Sequence, residues 1–138
     1  SHSQKNYALS MSKQIQDLGV DVEDLDRKVR FEALAKHAFH PNEYQLWQSL
    51  DFDPSYWFKV WTTKEAILKA SGLGIRMSLN ELDTQAHPLQ HGGICQHPQL
   101  GTFAYQNYPL AHCMLSIAWR AEQSCSDFTF PKIKLIQH

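Results

Sequence analysis

The longest unbroken pattern of apolar and polar positions runs from Asp53 to Gly72 and predicts a helix. Asp53 is a good N-cap, Pro54 a good first helical residue, and Gly72 a natural stop. At about 100° per residue, Trp57, Val60, Trp61, Ile67 and Leu68 share one apolar stripe. Glu65 and Lys69 sit four apart, on a common face beside it. Lys64 falls inside the stripe. An ammonium there must snorkel to water or meet a carboxylate, because a buried unpaired charge is costly.

A second pattern has period two. Leu18-Gly19-Val20-Asp21-Val22-Glu23 alternates apolar with small or acidic residues and predicts a strand. Side chains two apart share a face, so Asp21 and Glu23 project together while Leu18, Val20 and Val22 turn the other way, toward an expected core. Lys5–Lys13 alternates in the same manner and is expected to pair with this strand. Asp24-Leu25-Asp26 offers caps for a helix from Arg27 to about Ala38, and Pro41 starts a short one to Leu50. Ile75–Thr84 is irregular, with room for a short strand at its end. Ala86–Gly93 carries Pro88, Gly92 and Gly93 and is expected to be a loop. Strands are expected at Gly101–Tyr108, Ala111–Arg120 and Asp127–Ile136, the middle one apolar enough to be central. The predicted class is α+β: a small, mostly antiparallel sheet with helices packed on one face, in a single domain over residues 1–138.

Composition narrows this picture little. The 138 residues are 43% hydrophobic and 12% aromatic, which is globular and not disordered. A net charge of −1 gives no global argument for nucleic acid or membrane partners. No apolar run approaches the roughly eighteen residues a membrane helix needs. Three cysteines without framework spacing point to reduced thiols and a cytoplasmic protein. His91, Cys95, His97, His112 and Cys113 invite a zinc reading, but Cys-x-His is not a usual zinc spacing and no Cys-x-x-Cys accompanies it.

The chemistry concentrates in the first two patterns. Two carboxylates on one strand face repel unless a cation lies between them. With Glu65 they make three hard oxygen ligands beside a lysine, a set suited to Mg²⁺ holding a phosphate. Taken alone, Asp21 and Glu23 also fit a solvated strand face, and Glu65–Lys69 a surface ion pair.

Gly19-Val20-Asp21-Val22-Glu23, followed about forty residues later by Trp61-x-x-Lys64-Glu65-Ala66-x-x-Lys69, resembles the signature of the 4′-phosphopantetheinyl transferases. The Asp-x-Glu form resembles the Sfp-type branch. Ser1-His2-Ser3 is similar to the end of that branch's Asn-Leu-Ser-His-Ser motif, and Phe39-His40-Pro41-Asn42-Glu43 to its Phe-x-x-x-Glu segment. The likeness covers about Ser1 to Gly74. It implies transfer of the 4′-phosphopantetheine arm of coenzyme A to a serine of an acyl or peptidyl carrier protein, with release of 3′,5′-ADP. It also implies Asp21, Glu23 and Glu65 as ligands of Mg²⁺, and Glu65 and Lys69 in catalysis. Ser1, His2, Lys64 and Lys69 would contact coenzyme A, with a bracing role for Lys64 equally open. Branch members are pseudo-dimers of two similar halves, so the chain is expected to be the second half of a longer protein, completed by its first half or by a homo-oligomer. Arg27, Lys28, Arg30 and Lys36 offer charge to an acidic carrier. The rival readings are a different Mg²⁺-dependent phosphoester enzyme, such as a hydrolase, and a carrier-binding half without activity of its own.

Overall fold

A computed structural model of the chain describes residues 17–72 and 78–121. The strands expected at Lys5–Lys13 and Asp127–Ile136 lie outside those residues, as do Ser1 and His2. The described chain runs β1 (Leu18–Asp24), α1 (Phe31–Ala38), α2 (Pro41–Ser49), α3 (Pro54–Ser71), a short 3₁₀ turn (Leu79–Glu81), β2 (Gly92–His97), β3 (Gly101–Pro109) and β4 (Cys113–Arg120). The four strands form one antiparallel sheet in the order β1-β4-β3-β2. This is the expected α+β class, with β4 central and buried on both faces. Among the described residues no helix is long and apolar enough to cross a membrane.

The boundaries of α3 follow from its caps. The Asp53 side chain accepts a hydrogen bond from Ser55 N at 3.2 Å, Pro54 opens the helix, and Gly72 closes it in the left-handed region at φ 74°. A stripe, however, understates its burial. From Tyr56 to Ala70 every residue is buried except Trp61, Glu65 and Lys69. The helix lies across the sheet on one side and carries an aromatic cluster on the other. Trp57 centres that cluster, edge-on to Phe31 at 5.0 Å and stacked on Trp61 at 5.2 Å, and its indole donates to Phe31 O at 3.0 Å.

Three expectations are corrected. The helix after β1 starts at Phe31, not Arg27, because β1 continues through Asp24 and a turn follows it. Leu25 N donates to His112 O and Arg27 N to Asp24 O, so the backbone there is committed to the sheet edge. Gly92–His97, expected partly as loop and otherwise unassigned, is a strand that among the described residues pairs only with β3, at the edge of their sheet. Its Gly-Gly-Ile-Cys-Gln-His sequence carries little alternation to announce it. Thirdly, α3 packs on the Gly19/Asp21 face of β1, the one expected to face away from the core. Leu18, Val20 and Val22 lie on the opposite face, clustered with Leu115, Ile117 and Trp119. Both faces of β1 therefore bury side chains.

Candidate functional site

Gly19 decides where the acids lie. A Cβ placed on it would fall 2.1 Å from Ala66 O and 2.5 Å from Ala70 N, so only glycine lets β1 touch the backbone of α3. Two residues further along the same face, Asp21 is then held against the helix turn that carries Glu65 and Lys69. Spaced four apart, Trp61, Glu65 and Lys69 form the less buried line of α3. The acids thus meet the helix along its accessible line.

Lys69 Nζ donates to Asp21 Oδ1 at 2.8 Å and to Val20 O at 3.3 Å. Glu23 pairs with Arg27 at 2.9 Å. Burial pushes the Asp21 carboxyl up to about 6; Lys69 opposes that rise, and Glu65 and Glu23 add to it. The Glu65 carboxyl is also raised, first by burial, with Lys69 lowering it and Glu23 raising it. Asp21 therefore feels both other acids and Glu65 feels Glu23, a repulsion that a cation would relieve. All the donors are oxygen, which suits a hard divalent ion such as Mg²⁺. Among the described residues no three His, Cys, Asp or Glu side chains already converge as a metal cage. Asp21 is turned onto Lys69 and Glu23 onto Arg27. The residues fit the ion by the chemistry of their donors, with two side-chain cations standing at the acids.

A polar row continues across the sheet from Asp21. Ser116 is its partner in register, and Asn107 is the partner of Ser116. Asn107 Nδ2 donates to Ser116 Oγ at 2.7 Å and to Thr63 Oγ1 at 2.8 Å, and Thr62 Oγ1 lies 2.7 Å from Ser116 Oγ. These hydroxyls key the middle of α3 to the sheet, so the height of Glu65 above the strands is set by buried hydrogen bonds as well as by packing.

Lys64 is placed differently from the expected coenzyme A contact. Its side chain has no exposed surface, and Nζ meets Glu43 Oε1 at 2.7 Å. It also donates to Leu79 O at 2.7 Å and to Leu82 O. Glu43 in turn accepts from His40 N at 2.9 Å, closing a capping box at the start of α2, and from Thr84 N and Thr84 Oγ1. Lys64 and Glu43 hold α2, α3 and the 79–84 segment together; a substrate phosphate cannot reach this ammonium without opening the core.

Sequence reasoning missed Lys59. It is buried, and Nζ donates to His87 O and Gln90 O, each at 3.0 Å, and to Pro88 O at 3.4 Å. The signal was available, since a lysine between Phe58 and Val60 needs partners just as Lys64 does. Of the basic residues expected to greet a carrier, Arg27, Lys28, Arg30 and Lys36 are all exposed, with Lys36 paired to Glu32 at 3.2 Å. The thiol of Cys95 is buried, donates to Asp83 O at 3.2 Å, and is pushed up to about 12, mainly by burial.

Similarity to known proteins falls on this same region. The family model of the 4′-phosphopantetheinyl transferase superfamily matches residues 17–113, from the start of β1 to the first residue of β4. The 4′-phosphopantetheinyl transferase HetI of Nostoc sp. is 40% identical over 92 residues, 65% of this chain and 38% of that protein. The putative 4′-phosphopantetheinyl transferase slr0495 of Synechocystis sp. is 37% identical over 79 residues, 56% of this chain and 32% of that protein. The chain thus spans about a third of the length of these curated relatives.

Proposed function

This chain belongs to the 4′-phosphopantetheinyl transferase superfamily, and from that premise we propose that it carries the metal-holding part of an enzyme that moves the 4′-phosphopantetheine arm of coenzyme A onto a carrier-protein serine. The observation that supports the reading is the contact of Asp21 on β1 with Lys69 on α3, with Glu65 and Glu23 near enough to raise the Asp21 carboxyl. Gly19 makes that contact possible, and it falls on the accessible line of the helix.

In the proposed reaction the serine oxygen attacks the β-phosphorus of the pyrophosphate. The bridging P–O bond breaks, 3′,5′-ADP leaves, and the serine proton passes to a base. Such transfers depend on positioning and charge neutralisation more than on covalent chemistry by the protein. Asp21, Glu23 and Glu65 would hold Mg²⁺, which when bound neutralises pyrophosphate charge. Lys69 would set its ammonium on a phosphate oxygen of the departing nucleotide. Glu65, whose raised pKa makes it a better base than an ordinary glutamate, would take the serine proton. Lys64 would act through the fold, by fixing the helix that carries Glu65 and Lys69. The Asp-x-Glu pair supports the Sfp-type branch, and in that branch a preceding half would supply much of the nucleotide pocket. The carrier would meet the exposed charges Arg27, Lys28, Arg30 and Lys36. A cytoplasmic setting accords with its reduced thiols.

The test is incubation of the full chain with coenzyme A, Mg²⁺ and an apo carrier protein, followed by mass spectrometry. The reading expects a phosphopantetheine adduct on the carrier that is lost with Glu65→Gln. Water-borne release of phosphopantetheine without a carrier adduct would favour a hydrolase. Carrier binding that is indifferent to Glu65→Gln, with no adduct, would favour a binding module.

A further inference from the structure

Lys69 stands where an incoming metal would have to go. Asp21 is nearly closed off: its Oδ2 is fully buried, and Oδ1 is the oxygen held by Lys69 at 2.8 Å. A divalent ion arriving from solvent therefore meets the carboxylate at the atom the ammonium already occupies. The Lys69 side chain is 42% exposed against 8% for Asp21, so the lysine is the partner free to leave. Its stem lies along the accessible line of α3, and its second contact, Val20 O at 3.3 Å, is long and easily exchanged for water or a phosphate oxygen. Glu23 repeats the arrangement with Arg27, whose side chain is 54% exposed.

We propose that Lys69 is a resident counter-ion of the acid site, exchanged for the divalent metal, so that metal loading and the freeing of Lys69 for substrate phosphate are one event. In the metal-free chain Lys69 is the counter-charge of Asp21. When the metal takes Asp21, the displaced ammonium swings outward along α3. The inference rests on the proposed metal site and adds to it a competition within the chain. It has a consequence opposite to the usual expectation for a functional lysine: without coenzyme A, Lys69 weakens metal binding.

The probe is Mn²⁺ alone, titrated into the full chain by calorimetry and by the loss of its free paramagnetic resonance signal, with no coenzyme A present. Lys69→Met should bind Mn²⁺ roughly twofold to fivefold more tightly than the parent, the range expected for releasing a partly exposed ion pair. In the parent, the Lys69 ammonium proton resonance should lose its protection from solvent exchange as Mg²⁺ is added. Equal or weaker Mn²⁺ binding by Lys69→Met, or an ammonium still protected at saturating Mg²⁺, would overturn the exchange. If Lys69→Met gains nothing while Glu65→Gln abolishes Mn²⁺ binding, the metal site stands and only the competition falls. If neither parent nor Lys69→Met binds Mn²⁺, the metal reading itself fails.

Discussion

Helix α3 holds two lysine–carboxylate pairs little more than one turn apart, and they differ in almost everything but chemistry. Lys64–Glu43 has 0% and 1% of its side-chain surface exposed, and each member has further hydrogen-bond partners from the backbone. Lys69–Asp21 is half open, with one long additional contact on the lysine and a carboxyl pushed up to about 6. The first pair is over-determined: removing either partner strands a buried charge. The second lies partly open to solvent on the lysine side, and the carboxylate has like charges for neighbours. Burial with full hydrogen bonding marks a brace. A buried acid with a raised pKa and like charges beside it, at an accessible edge, is a candidate ligand site.

The comparison breaks most visibly at the brace. Lys64→Met should cost about 3–5 kcal/mol of stability, because Glu43 keeps its charge in the core with no cation beside it. Denaturant unfolding measures this, and a loss below about 1 kcal/mol would show that the pair is not the brace described. Gly19→Ala should follow at about 3 kcal/mol, since the new Cβ meets helix backbone that no rotamer can move aside. It should also separate Asp21 from Glu65, so metal binding should fall more than stability alone explains.

Asp21→Asn should move stability the other way. The folded-state pKa of Asp21 is raised, so the folded chain holds this proton more tightly than the unfolded chain does between about pH 4 and 6. The stabilisation this gives is present in acid and is lost as pH rises through about 6. Asn carries no such charge. The metal-free variant should therefore be more stable than the parent by about 2–3 kcal/mol at pH 7–8, with the gain shrinking toward pH 4. Metal affinity of the parent should weaken as pH falls through about 6, because the ion needs the ionised acid; a flat titration from pH 8 to 5 would contradict the assignment. The smallest stability effect belongs to Lys69→Met, under about 1 kcal/mol for a half-exposed pair. Its transfer rate should nevertheless drop by roughly 100-fold.

Much of the fold is legible in the sequence itself. The caps of α3 can be read directly, because Asp53, Pro54 and Gly72 act through local backbone chemistry. The centrality of β4 follows from an apolar run that could only be buried on both faces. What stayed hidden depended on partners distant in sequence. Asp21 and Glu23 share a face by simple alternation, but that this face meets a helix depends on Gly19 touching Ala66, far along the chain. Lys64 could be read as needing a carboxylate, yet not that Glu43 would satisfy it completely. β2 escaped because an edge strand with one buried cysteine and two glycines has no pattern of its own. Lys59 escaped because its partners are carbonyls, which every residue carries.

One paired measurement tests whether neighbouring lysines on one helix do opposite jobs. Thermal unfolding and Mn²⁺ affinity are recorded side by side for Lys64→Met and Lys69→Met, in the full chain at pH 7.5 without coenzyme A. The expected result is a crossing: Lys64→Met melts far below the parent and gains no affinity for the ion at temperatures where it is folded, while Lys69→Met melts close to the parent and binds the ion more tightly. If both variants lose stability to the same degree and leave Mn²⁺ affinity unchanged, the division between brace and site is wrong.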